Sequence, residues 1–70
     1  MNGTVDVVIN GEHRQIGGGA TLLQLLAELE LDPRAVVVEH NRRIVRRPSL
    51  GEVKVNSGDA IEVVQFVGGG

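Results

Sequence analysis

The chain has no cysteine, tryptophan or tyrosine, and these absences close off whole classes of function. Without cysteine there is neither a disulfide framework nor a thiolate zinc site, and two histidines with no paired metal motif do not replace them. One aromatic residue, Phe66, cannot build the stacking platform that polynucleotide readers need. No apolar run approaches the roughly 20 residues of a bilayer span. Met1 is followed by neither a basic segment nor a signal-like apolar one, so the chain is expected in the cytoplasm. What remains is 70 residues with a net charge of -2 and an apolar fraction of 41%, drawn mainly from Val, Leu and Ile. That composition suits one domain spanning 1–70, held by an ordinary hydrophobic core.

Alternation in Val5-Asp6-Val7-Val8-Ile9 puts Val5, Val7 and Ile9 on one face of a strand. Asn10-Gly11 then supplies a tight hairpin turn into a second strand, Glu12 to Ile16. After Gly17-Gly18-Gly19, Thr21 and Gln24 have the spacing of a capping box, and Leu22, Leu25, Leu26 and Leu29 form the apolar stripe of a helix that Pro33 ends. Leu26 and Leu29 are expected to bury against Val7, Ile9, Ile61 and Val63. Ala35 to Glu39 reads as a strand with Val36 and Val38 inward, and a polar break at His40 to Arg43 leads to Ile44-Val45 as its hairpin partner. From Arg46 to Lys54, Pro48, Ser49 and Gly51 argue for turns, with Val53 and Val55 anchored in the core. Ser57-Gly58-Asp59 makes a turn before a last strand, Ile61 to Phe66, whose Ile61 and Val63 face opposite to Val64 and Phe66. The element list fits an α+β domain, one mixed sheet with one main helix packed on one face.

Catalysis finds little support, because no Ser, Thr or Lys has a base placed beside it by any recognisable spacing. Gly17-Gly18-Gly19 lacks the lysine of a phosphate-binding loop and reads as a connector. His13 and His40 read as structural. Arg42, Arg43, Arg46 and Arg47 hold four of the seven basic side chains within six positions, a solvated hairpin or a docking patch for an acidic partner. The ending Gly68-Gly69-Gly70 adds nothing to a core and leaves a thin lead able to enter a narrow enzyme passage.

Asp59 to Gly70, ending Phe-Val-Gly-Gly-Gly, together with Asn10-Gly11 and Val38-Glu39-His40-Asn41, resembles the ThiS family, the thiazole sulfur carriers of thiamine biosynthesis. The resemblance runs from about Val5 to Gly70 and implies a ubiquitin-like β-grasp fold with the first and last strands parallel at the sheet centre. It implies that Gly70 is adenylated by an E1-like enzyme using ATP and converted to a thiocarboxylate with sulfur from a donor such as a cysteine desulfurase. Thiazole synthase would receive that sulfur. The carrier would bind no cofactor, hold no metal and act as a co-substrate, not an enzyme. Carriers for molybdopterin or tRNA thiolation share the double glycine, and a non-covalent β-grasp interaction module would share the fold. On the carrier reading, Val8, Val64 and Phe66 on the sheet face without the helix, together with Val67, would meet the partners, Gly68 and Gly69 would form a flexible lead, and Arg42 and Arg43 would add a charged rim.

Overall fold

The computed structural model describes residues 3–66. Asn10 and Gly11 both take positive φ, 50° and 83°, the twist of a two-residue type I′ turn. They set β1 (Thr4–Ile9) antiparallel to β2 (Glu12–Gly17), with Val8 opposite His13. The helix α1 (Leu22–Glu28) begins with the expected capping box. Thr21 Oγ1 accepts the Gln24 N–H at 3.1 Å, and the Thr21 N–H donates to Gln24 Oε1 at 2.9 Å. Its next free donors find backbone carbonyls in the segment that gave no clear element in the sequence: Leu22 N–H meets Val53 C=O at 2.9 Å, and Leu23 N–H meets Leu50 C=O at 3.0 Å. That segment also sends Leu50 and Val55 into the core, with Val53 half-buried beside them.

The expected stop at Pro33 is not where the helix ends. Helical structure finishes at Glu28, and Glu30 takes φ 60°. Its N–H reaches Ala27 C=O at 3.0 Å while the Leu31 N–H reaches Leu26 C=O at 2.9 Å, the paired closure that glycine usually supplies. Pro33 instead opens a short 3-10 turn, Pro33–Ala35, capped by Asp32. Leu29 consequently sits at the helix end and is only half-buried, a correction to its expected burial, whereas Leu22, Leu25 and Leu26 are fully covered.

The remaining strands are β3 (Val36–His40), β4 (Arg43–Val45) and β5 (Ala60–Gln65), and the sheet order is β2-β1-β5-β3-β4. β3 and β5 each lie one residue from their expected bounds, with the facing unchanged. β1 and β5 are parallel, Ile9 opposite Ile61, and every other neighbouring pair is antiparallel. Val7, Ile9, Ile16, Val36, Val38, Ile61 and Val63 form the buried face beneath α1. Where backbone pairing of β1 with β5 ends, the Asn10 side chain continues it: Nδ2 donates to Val63 C=O at 3.1 Å and Oδ1 accepts the Val63 N–H at 2.8 Å. This mixed sheet with a helix on one face is the ubiquitin-like β-grasp arrangement.

The second hairpin repeats the first with a less suitable residue. Asn41 and Arg42 take φ 51° and 72°, so the Arg42 Cβ crowds a backbone carbonyl that glycine would leave free. Arg42→Gly is expected to raise unfolding stability by about 1 kcal/mol, less any entropy glycine adds to the unfolded chain. Arg42→Ala, which keeps the Cβ, should bring no such gain. Urea unfolding of both variants checks this, and equal midpoints would refute the strain at Arg42.

Candidate functional site

β5 lies between β1 and β3 and carries the chain to Phe66, whose N–H donates to Ala35 C=O at 2.9 Å. Phe66 is thus fixed to the sheet at the end toward the terminal glycines. The predicted site residues Val67, Gly68, Gly69 and Gly70 lie outside the described residues.

On the face opposite α1, Val64 is 59% exposed and Phe66 60% exposed. The one aromatic of the chain and a neighbouring valine thus lie exposed on the same face, where strand alternation puts them. Val8 shares this face but is half-buried, two strands from Val37. Two contributors escaped sequence reasoning. Val37 lies opposite Val64 across the β3–β5 ladder, and Ile44, opposite Glu39, is 67% exposed. Alternation along β3 and β4 was the available signal, but β4 is only three residues long. Glu39 and Glu62 also stand opposite each other on this face, so its apolar area surrounds two carboxylates.

The four clustered arginines are divided by the fold. Arg42 and Arg43 sit at the β3–β4 turn, level with the start of β5, whereas Arg46 and Arg47 follow β4 and flank the Phe66 end. Three residues of strand, about 10 Å, separate Arg43 from Arg46. All four are exposed, and none has a carboxylate within ion-pair distance among the described residues. Gly18 is a structural connector: its N–H donates to Gly3 C=O at 2.8 Å, and a Cβ there would lie 2.9 Å from that oxygen.

Below the β3–β4 turn lies a polar cluster whose members were not expected to meet. Asp59 is the one buried charged residue among those described. His40 Nε2 lies 2.7 Å from its Oδ2, which also accepts the Asn56 N–H at 2.8 Å. Asn41 Nδ2 donates to Oδ1 at 3.2 Å, and Asn41 Oδ1 accepts the Ala60 N–H at 2.9 Å. The cluster ties the β3–β4 hairpin to the start of β5. Burial pushes the Asp59 carboxyl up, but the Asn56 amide, His40 and Asn41 together hold it below the usual carboxylate range. A carboxyl depressed in the folded state stabilises fully above its unfolded value, near 3.9, and that stability disappears as pH falls through the lower folded value. Stability is therefore expected to drop below about pH 4, and Asp59→Asn should flatten the drop. Thermal unfolding from pH 7 to pH 2 checks the slope, and identical slopes in the two proteins would rule Asp59 out as its source.

Comparison with known proteins agrees with this geometry. A model of the ThiS family matches residues 7–70. A thiazole synthase of Paramagnetospirillum magneticum is 48% identical over 64 residues, which are 91% of this chain and 20% of that protein. The chain therefore spans about a fifth of the length of that relative. The sulfur carrier protein ThiS of Bacillus subtilis is 42% identical over 50 residues, 71% of this chain and 76% of its own. Among solved structures, the thiamine biosynthesis protein (ThiS) of Geobacter metallireducens superposes with a TM-score of 0.81 at 28% identity, covering 94% of this chain and 100% of that one. With the match leaving out only the first six residues, the chain belongs to the ThiS family.

Proposed function

We propose that this chain is a sulfur carrier that delivers sulfur as a thiocarboxylate on Gly70 for building the thiazole ring of thiamine. The observation that carries the reading is the family match running through Gly70, joined to a fold whose central strand leads to an exposed Phe66 four residues earlier. The synthase relative supports thiazole as the destination, since it contains within its own length a segment 48% identical to this chain.

The chemistry needs a partner for each step. An E1-like adenylating enzyme brings the Gly70 carboxylate to the α-phosphate of ATP, and pyrophosphate leaves. The resulting acyl adenylate is attacked at its carbonyl by the terminal sulfur of a cysteine persulfide, made by a donor such as a cysteine desulfurase, and AMP leaves. A partner thiol then attacks the persulfide sulfur next to the cysteine, so a disulfide forms on the partner and the thiocarboxylate departs. Thiazole synthase consumes it. The carrier contributes access: glycines at 68, 69 and 70 have no Cβ to obstruct a narrow channel. The adenylating enzyme's use of ATP supports the cytoplasm as the site of the work. Intact mass after incubation with ATP, a persulfide donor and the adenylating enzyme tests the reading; an oxygen-to-sulfur gain that requires ATP is expected, and an unchanged mass opposes it.

Val8, Val64 and Phe66, together with Val67, are the residues that meet the adenylating enzyme and the synthase, with Arg42 and Arg43 raising the encounter rate at low salt. Phe66→Ala is expected to weaken binding to the adenylating enzyme by about tenfold or more, a contribution of 1.4 kcal/mol or above. Its urea midpoint should barely move, because the ring is 60% exposed. Calorimetric titration of the folded variant checks this, and unchanged affinity would remove Phe66 from the interface.

A further inference from the structure

β3 extends beyond its outer neighbour. It pairs with β5 from Val36 to His40, but β4 covers only Val38 to His40 before the chain leaves the sheet at Arg46. Two hydrogen bonds fix the alternation of the β3–β5 ladder, Phe66 N–H to Ala35 C=O and Asn41 N–H to Ala60 C=O. Ala35, Val37, Glu39 and Asn41 therefore direct their backbone groups at β5, and Val36, Val38 and His40 direct theirs outward. Val38 and His40 meet Val45 and Arg43 on β4. Val36 has no residue opposite on β4, and its C=O has no hydrogen-bond partner among the described residues. The open position borders a groove of about 460 Å³ lined by Val36, Val37, Ile44, Phe66, Arg46 and Arg47.

We propose that this groove docks an extended segment of a partner protein in which acidic residues flank apolar ones. Its backbone adds to the sheet at Val36, donating an N–H to the open carbonyl of the strand edge. An apolar side chain covers Ile44 and Phe66, 67% and 60% exposed. Its carboxylates meet Arg46 and Arg47, which have no carboxylate of this chain within 4 Å among the described residues. The sign of the flanking charge selects an acidic occupant, and the open strand edge selects a peptide over a nucleic acid.

The test titrates the isotope-labelled full chain with the acetylated, amidated peptide Glu-Ile-Val-Ile-Glu and follows amide chemical shifts. A Lys-Ile-Val-Ile-Lys peptide and an acidic peptide N-methylated at its central residue serve as controls. Shifts are expected at Val36, Ile44, Phe66 and Arg47, with the acidic peptide binding about tenfold tighter than the basic one. Combined Arg46→Glu and Arg47→Glu substitutions should reverse that order, and N-methylation should abolish binding. Four results would overturn the proposal: no shifts, shifts confined to the β2 edge, equal affinity for the two charge patterns, or binding seen only after residues 67–70 are removed. The titration uses no adenylating enzyme, so its failure leaves the carrier reading untouched.

Discussion

Leu26→Ala is expected to lower unfolding stability by about 2 to 5 kcal/mol, the usual cost of emptying a buried leucine site. The reason lies in how little covers the sheet. α1 is seven residues long, too short to be helical in water by itself, and its place is kept by Leu22, Leu25 and Leu26, each no more than 1% exposed. Removing Leu26 weakens the helix and uncovers the face carrying Val7, Ile9, Ile61 and Val63. A domain of this size has in all only about 3 to 10 kcal/mol of stability, so the variant should lose a large share of it. Leu23→Ala is the control, since Leu23 is 42% exposed and points away from the stripe. Urea unfolding followed by circular dichroism decides between them. A Leu26→Ala midpoint equal to that of Leu23→Ala would mean that the helix packs on another face.

Features whose causes are local in the chain were legible. Asn10-Gly11 announces its turn because few other pairs accept two positive φ angles, and the Thr21 to Gln24 spacing announces the helix start because both bonds form within one turn. The helix end was hidden because Glu30 occupies a left-handed position where glycine is the usual signal. Asp59 read as a turn residue, since its partners His40 and Asn41 are 19 and 18 positions away and meet it only when β3 lies beside β5. The arginines were misleading in the opposite sense: adjacency in sequence suggested one patch, and β4 carries the second pair to the other end of the sheet. For the site, Val64 and Phe66 followed from simple alternation, whereas Val37 and Ile44 needed the strand pairing. The role proposed for Gly70 rests on resemblance, because a glycine carries no side chain whose chemistry could be read.

That role leads to the second large effect. Adenylation consumes a free carboxylate, and adding one alanine after Gly70 converts the Gly70 carboxylate into an amide, with the new carboxylate on a residue that bears a Cβ. An amide carbonyl cannot attack ATP as a carboxylate does, and the added methyl group widens a segment that glycine keeps narrow. The β-grasp domain should be indifferent, since Val7, Leu26, Ile61 and the rest of the core lie within residues 7–63. The extended protein should therefore unfold at the same urea concentration as the parent while losing thiocarboxylate formation altogether. The deciding measurement is intact mass of the parent and the alanine-extended chain, incubated side by side with ATP, a persulfide donor and the adenylating enzyme. An oxygen-to-sulfur gain in the parent alone is the predicted result, and the same gain in the extended chain would contradict sulfur carriage on Gly70.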